Sequence, residues 1–240
     1  MAPKGRRLRS LASELARRFP DLEDPHSIIA AGDVLVDGIP NRNPASLVAP
    51  NCSLKLHRPA PLRGAAKLRH ALATFRVPVV GRVALDVGAA AGGFTRVLLE
   101  GGAARVYAVD AGHGQLLGSL SQDPRVVVLE RVNLGELNRV IVPDELGVVT
   151  MDLSYLPIAH AAPQLEPLRI EPGADLVALV KPQHELGLAT AANSGQQVAA
   201  AVQHAVRGLN RCGWTVSGTT RSPTLGARGA VEWLVHAHRG

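Results

Sequence analysis

The chain has 240 residues, 46% of them hydrophobic, and a formal charge of +6, which suits one large domain with a small companion. No apolar run approaches the ~18 to 20 residues that span a bilayer. The basic start, Met-Ala-Pro-Lys-Gly-Arg-Arg, has no apolar segment behind it, so neither a membrane-spanning nor a signal-led chain is expected, and the location expected is cytoplasmic.

The charge is unevenly spread. Residues 1–70 hold 12 Lys/Arg against 6 Asp/Glu, whereas residues 71–240 hold 14 of each. The whole excess therefore lies in the first 70 residues, where it suits a phosphate backbone; a solvated basic surface is the plainer alternative. Within that stretch Leu8, Leu11 and Leu15 recur at helical spacing among Arg7, Arg9, Arg17 and Arg18, and Pro20-Asp21 stops the helix. A second short helix runs from Asp24 to Ala31 and ends at Gly32. Val34-Leu35-Val36-Asp37-Gly38 reads as a strand entering an Asp-Gly hairpin turn, and Leu47-Val48 and Leu54-Lys55-Leu56 add short strands. Two helices followed by Ala-Gly-Asp-Val-Leu-Val-Asp-Gly resemble the S4 RNA-binding fold over about fifty residues. That resemblance implies RNA contacts from Arg6, Arg7, Arg9, Arg17 and Arg18, with Arg63 beyond.

Pro59-Ala60-Pro61 makes a stiff, extended connector, so the expected division is residues 1–58, a linker over 59–62, and a second domain over 63–240. That domain opens with a helix from Arg63 to about Phe75. Val83 to Thr95 then reads strand, glycine-rich turn, helix, with Asp86 closing the strand and Gly88, Gly92 and Gly93 in the turn. Some twenty residues on, Arg105–Val109 ends in Asp110, where a nucleotide-type ligand places its ribose hydroxyls. Ala90 occupies the second glycine position of the dinucleotide fingerprint. The spacing Asp-x-Gly-x-x-x-Gly-Gly resembles that of S-adenosylmethionine (SAM) methyltransferases instead.

The remainder alternates. Strands are expected at Val126–Leu129, Val148–Asp152 and Ala174–Val180, and helices near Gln115–Leu120, Leu134–Val140, Ala159–Leu168 and Ser194–Cys212. Two β-rich runs, Trp214–Thr219 and Ala230–His238, close the chain. This is the pattern of an α/β, Rossmann-like, mostly parallel sheet with an antiparallel edge hairpin and a small N-terminal α/β domain. Cys52 and Cys212 are far apart, the histidines are scattered, and His236 and His238 read as same-face neighbours on a strand, so no metal is expected.

Three ionisable residues interrupt or end apolar runs: Asp152, Lys181 and Glu232. Strand carboxyl ends hold ligands in open α/β sheets, and Glu232, read as lying within the last strand, needs a partner such as a lysine. Arg-Gly-Ala-Ala-Lys-Leu (63–68), Asp-Val-Gly-Ala-Ala-Ala-Gly-Gly-Phe-Thr (86–95), Asp-Leu-Ser-Tyr-Leu-Pro-Ile (152–158), Leu-Val-Lys-Pro-Gln-His-Glu-Leu-Gly (179–187) and Ala-Val-Glu-Trp (230–233) follow one another as in the TlyA-type (haemolysin A) family. Those proteins join an S4 domain to an FtsJ-like ribosomal RNA 2′-O-methyltransferase, and the likeness runs through nearly the whole chain.

The resemblance implies a catalytic tetrad of Lys67, Asp152, Lys181 and Glu232, with SAM held by Asp86, Gly88, Gly92, Gly93, Phe94, Asp110, Asn133 and Asp152. It also implies ribosomal RNA or ribosomal subunits as partners, with no membrane and no metal. By analogy with FtsJ-like enzymes the resemblance implies Lys181 as the general base toward a ribose 2′-hydroxyl, since a lysine whose pKa is depressed by burial and by a second lysine can take that proton. The chain departs from the family in its linker, Arg58-Pro59-Ala60-Pro61, which lacks the usual aromatic. Ala66 stands before Lys67 in place of histidine, and His113 and His184 stand where Tyr and Phe are common. A non-catalytic RNA-binding protein retaining the fold, or a membrane-active haemolysin, are the rival readings; the intact tetrad speaks against the first and the lack of a spanning segment against the second.

Overall fold

The computed structural model describes residues 8–20, 22, 24–30, 32–56, 62–189 and 194–240, with the backbone alone for Arg63 and Arg228. Arg6, Arg7 and the 59–61 part of the expected linker lie outside the described residues. The chain forms two compact units, Met1–Pro61 and Leu62–Gly240.

In the first unit β1 (Arg9–Ser10) leads into α1 (Leu11–Arg18), followed by α2 (Pro25–Ala30), β2 (Val34–Val36), β3 (Ile39–Pro40), β4 (Leu47–Val48) and β5 (Leu54–Leu56). The Ser10 side chain accepts from the Ser13 amide and starts α1, so Leu8 precedes the helix and is exposed while Leu11 and Leu15 are buried. They pack with Ile29, Val34, Val48, Cys52 and Leu54 into one small core. Asp37 and Gly38 both take positive φ, 51° and 87°, the geometry of a two-residue hairpin turn. It pairs β2 with β3, and β5 flanks β2 on the other side.

The second unit runs α3 (Arg63–Phe75), β6 (Val83–Val87), α4 (Gly93–Glu100), β7 (Arg105–Asp110), α5 (Gly118–Ser121), β8 (Val126–Glu130), β9 (Leu146–Met151), α6 (Ile158–Ala161), β10 (Ile170–Val180), α7 (Pro182–Glu185), α8 (Gly195–Arg211), β11 (Trp214–Arg221) and β12 (Trp233–Arg239). Its seven strands lie in the order β11-β12-β10-β9-β6-β7-β8. β10, β9, β6, β7 and β8 are parallel, and β12 and β11 close one edge antiparallel. The near-continuous apolar runs of the inner strands follow from burial on both faces. On one face Leu85, Val149, Met151 and Leu176 pack with Ala201, Ala205 and Leu209 of α8. On the other Ala84, Val148 and Val177 pack with Leu68 of α3 and Phe94 and Leu98 of α4.

Three expected elements are corrected. The helix over 134–140 is a single 3-10 turn, Leu134–Glu136, because the Asn138 side chain accepts from the Val140 and Ile141 amides and bends the chain away. The helix near 115–120 shrinks to α5, since Glu130 collects the Gly114 and Gln115 amides at 2.9 and 3.1 Å and fixes that stretch as a loop. Glu232 lies just ahead of β12 and outside the strand.

Far from the strand carboxyl ends, Asp175, His236 and His238 converge on one face of the sheet. Two of its three members are already engaged by hydrogen bonds, and the His238 ring packs edge-on against His236. Asp175 uses one oxygen on His236 Nε2 at 2.7 Å and the other on Arg82 at 2.6 Å, and His236 Nδ1 meets Ser217 Oγ at 2.7 Å. Burial alone would raise the Asp175 pKa; the His236 and Arg82 hydrogen bonds outweigh it and hold the carboxyl below its ordinary range.

Candidate active site

The chain leaves β6 for β7 and β8 on one side, then returns to β9 on the other, so the sheet's switch point falls between β6 and β9. A crevice opens there at the strand carboxyl ends, and the Asp152 amide donates across it to the Val87 carbonyl at 3.0 Å. A cleft of about 240 Å³ is lined by Lys67, Gly88, Asp152, Ser154, Lys181 and Glu232 among others. A second hollow of about 130 Å³, lined by Gly64, Gly93, Phe94 and the turn residues Gly88 to Ala91, shares Gly88, Ala90 and Asp152 with the first. The two hollows adjoin at those three residues.

Four charged side chains meet in the cleft as two pairs. Lys181 Nζ lies 2.7 Å from Asp152 Oδ1 and donates to Ser154 Oγ at 2.8 Å. Lys67 Nζ lies 2.6 Å from Glu232 Oε2, both side chains being buried. They come from four separate places in the fold: the first turns of α3, the ends of β9 and β10, and the residue before β12. Glu232 is seated against Gly226, where an added Cβ would come within 2.6 Å of the carboxyl carbon. The β11–β12 connection thus carries both the acid and the space it needs. Ser154 was not among the residues singled out from the sequence. A serine beside a charged motif is too common a pattern to stand out without its contact to Lys181.

The turn after β6 has the form of a ligand cradle. Gly88 sits at φ +83°, and a Cβ there would lie 2.6 Å from the Asp152 carbonyl oxygen, so only glycine lets the two strand ends meet. Gly92 caps α4 from the left-handed region, and Gly93 brings α4 close to α3 at Gly64. Asp110 accepts from the Ala90 amide at 2.8 Å and the Gly112 amide at 2.6 Å, which fixes the turn and leaves carboxylate lone pairs for further donors. These features fit SAM: bare backbone where an adenosyl-methionine chain would pass, a carboxylate for ribose hydroxyls, and a hollow walled by Phe94 and Gly64.

Of the expected cofactor residues, Gly88, Gly93, Phe94 and Asp152 line the two hollows, whereas Asp86, Gly92, Asp110 and Asn133 line neither. Asp86 is fully buried, lines neither cavity, and accepts from Thr95 Oγ1 at 2.6 Å and Thr150 Oγ1 at 2.9 Å. Burial pushes its pKa up to about 6 against those two hydrogen bonds. It braces the turn from behind. Asn133 forms a capping box with Glu136, donating to its carboxylate from the backbone amide at 2.7 Å and from the side-chain Nδ2 at 3.0 Å. In the first unit Arg9 is exposed and Arg17 pairs with Glu14 at the surface. Arg18 is turned inward, donating to Glu14, the Cys52 carbonyl and the Pro50 carbonyl, so it serves the fold of this unit. Arg63 opens α3, and its side chain lies outside the described residues.

Residues 61–239 match the FtsJ-like methyltransferase family. The 16S/23S rRNA (cytidine-2′-O)-methyltransferase TlyA of Mycobacterium tuberculosis is 39% identical over 93% of this chain and 87% of its own length. Hemolysin A of Brachyspira hyodysenteriae is 32% identical over 87% of this chain and 90% of its own. A solved structure from Streptococcus thermophilus that carries a hemolysin name superposes with a TM-score of 0.71 at 28% identity, covering 98% of this chain and 90% of that one. The chain belongs to the FtsJ-like methyltransferase family, in its TlyA (haemolysin A) branch.

Proposed function

We propose that the chain is a SAM-dependent 2′-O-ribose methyltransferase of ribosomal RNA, in which residues 1–58 form an S4-like RNA-docking domain and residues 63–240 carry the chemistry. The observation that carries this reading is the pairing of Lys181 with Asp152 and of Lys67 with Glu232 in a cleft continuous with the glycine turn. The Mycobacterium tuberculosis relative, named for cytidine-2′-O methylation of 16S and 23S rRNA, supports the substrate.

A ribose 2′-hydroxyl is too weak an acid to attack unaided. Lys181, as the free amine, takes its proton; the ammonium so formed is then held by Asp152 at 2.7 Å and Ser154 at 2.8 Å. The Lys67–Glu232 pair fixes the opposite wall of the cleft without adding net charge. When bound, SAM supplies an electrophilic methyl group on a sulfonium that leaves as a neutral thioether. Gly88, Ala90, Phe94 and Asp110 would hold it, and Asp152, which lines both hollows, would mark where methyl and hydroxyl meet. Fixing those atoms in line supplies much of the rate.

The test is transfer of tritiated methyl from SAM to purified ribosomal subunits, followed by mapping of the methylated ribose. Label in a ribose 2′-O-methyl group is expected. Its absence from both subunits and from intact ribosomes, with SAM still bound, would favour a non-catalytic RNA-binding protein. The haemolysin reading gains nothing from the fold: among the described residues no helix is long and apolar enough to cross a membrane.

A further inference from the structure

Glu185 lies 4 residues past Lys181 and is buried, 5% exposed, outside the cleft. Its amide closes the turn after β10 by donating to the Lys181 carbonyl at 2.9 Å. Its carboxylate faces the other way. Oε2 accepts from the Ile158 amide at 2.8 Å, and Oε1 accepts from the Ala159 amide at 3.3 Å and meets His204 Nδ1 of α8 at 2.9 Å.

Those two amides are the first of α6, whose own N-cap, Pro157, has no side chain to cap them. Buried amides at a helix start need an acceptor, and here it comes from a different loop. α6 is also where the segment leaving β9 lands. That segment carries Asp152 and Ser154; the turn that carries Glu185 carries Lys181. One carboxylate therefore joins the two backbone segments whose side chains make the Lys181 contacts, and α8 anchors it through His204.

We propose that Glu185 is a positioning residue for methyl transfer, clipping the Asp152–Ser154 segment to the Lys181 turn, with His204 holding the clip. The inference rests on the reading of Lys181 as the base. Lysine reaches its partners through a long flexible stem, so its 2.7 and 2.8 Å contacts are set by how far apart the two segments stand. A displacement of about 1 Å at such a site costs up to ~100-fold in rate.

The experiment compares full-length wild type with Glu185→Ala, Glu185→Gln, His204→Ala and Lys181→Ala. The readouts are kcat and KM for ribosomal subunits, SAM affinity by calorimetry, and hydrogen exchange at the Ile158 and Ala159 amides. Glu185→Ala should lower kcat by about tenfold to a hundredfold, with KM and SAM affinity within about twofold, and should speed exchange at both amides. Glu185→Gln keeps one acceptor for Ile158 and an amide donor for His204, so it should recover part of the rate. His204→Ala should fall between Gln and wild type, and with Glu185→Gln it keeps the test open should the alanine variant fail to fold. Wild-type kcat in a folded Glu185 variant with fast-exchanging amides would overturn the clip while leaving the base intact. A fall in apparent kcat that matches the fall in folded fraction, measured as SAM-binding stoichiometry, would likewise overturn it in favour of a purely structural role. Near-normal turnover in Lys181→Ala would remove the base assignment and the clip with it.

Discussion

Lys67 Nζ lies 2.6 Å from Glu232 Oε2, with the two side chains only 8% and 5% exposed. A pair so withdrawn from water is neutral as a unit, and either member alone is an uncompensated buried charge. Its presence in the wall of a cleft where RNA phosphates and a sulfonium would gather makes electrical sense, because it fixes one strong dipole there at no net charge.

That pairing predicts an asymmetry. Lys67→Met or Glu232→Gln alone should destabilise the protein by about 3 to 5 kcal/mol, the usual cost of breaking a buried pair, whereas the double variant should recover most of it. Methyl transfer should be lost in all three. Chemical denaturation alongside the tritium assay separates the two effects, and a double variant no more stable than either single would contradict the pairing.

Lys181 is tested by charge and by shape. Lys181→Ala should abolish transfer while SAM still binds, since the base acts only as the transition state is reached. Lys181→Arg should fail too, because a guanidinium does not give up its proton. Adding Lys67→Ala to Lys181→Ala should cost little further rate, as groups acting together are not additive.

Asp86 gives a pH signature. Its folded pKa, raised to about 6 from 3.8, means that the folded state holds this proton more tightly than the unfolded chain. Stability is therefore intact below about pH 4 and is lost as pH rises through 6, by about 3 kcal/mol in all. Asp86→Asn keeps an acceptor for one threonine and offers a donor to the other, and it never ionises. Measured as the difference from wild type by denaturant melts, the variant should gain stability between pH 4 and 7, with SAM affinity within about twofold. A large loss of SAM affinity would return Asp86 to the cofactor's contacts.

Asp110→Ala should weaken SAM binding by about 1.5 to 3 kcal/mol, as for a hydrogen bond to a charged group. Because Asp110 also accepts from the Ala90 and Gly112 amides, part of that loss is loosening of the turn. Asp110→Asn, which keeps one acceptor and its shape, should lose less. Calorimetry with unchanged affinity in a folded alanine variant would discard the ribose contact.

The sheet, the glycine turn and three charged residues of the cleft, Asp152, Lys181 and Glu232, were legible because each leaves a local mark: apolar runs ended or interrupted by a charge, glycines at fixed spacing. Lys67 came only with the family resemblance. Pairing was not legible, since which lysine meets which acid depends on strand order, and Lys67 and Glu232 are brought together by α3 crossing to the β12 edge. Asp86 and Asn133 have the right type and position for a ligand contact, and what the sequence does not record is that Asp86 is buried with two threonine partners and that Asn133 bonds Glu136. Glu185 sits in a quoted motif without a sequence signal of its own, because its partners are backbone amides, which no residue letter records.

The arginines of the first unit differ in ways that sequence position alone does not distinguish. Arg9 is exposed, Arg17 projects at the surface although paired with Glu14, and Arg18 spends its guanidinium on Glu14 and two backbone carbonyls. If this unit docks on RNA through phosphates, each phosphate-contacting arginine contributes roughly one to the slope of log affinity against log salt. Arg9→Ala and Arg17→Ala should each weaken binding to ribosomal subunits and flatten that slope by about one. Arg18→Ala should lower the thermal stability of the unit and, at a temperature where it stays folded, leave the slope unchanged. Binding titrations at several salt concentrations, paired with melting curves, decide it. Equal slopes for wild type, Arg9→Ala and Arg17→Ala would mean that the basic excess of residues 1–70 is a solvated surface, and that RNA is gripped elsewhere.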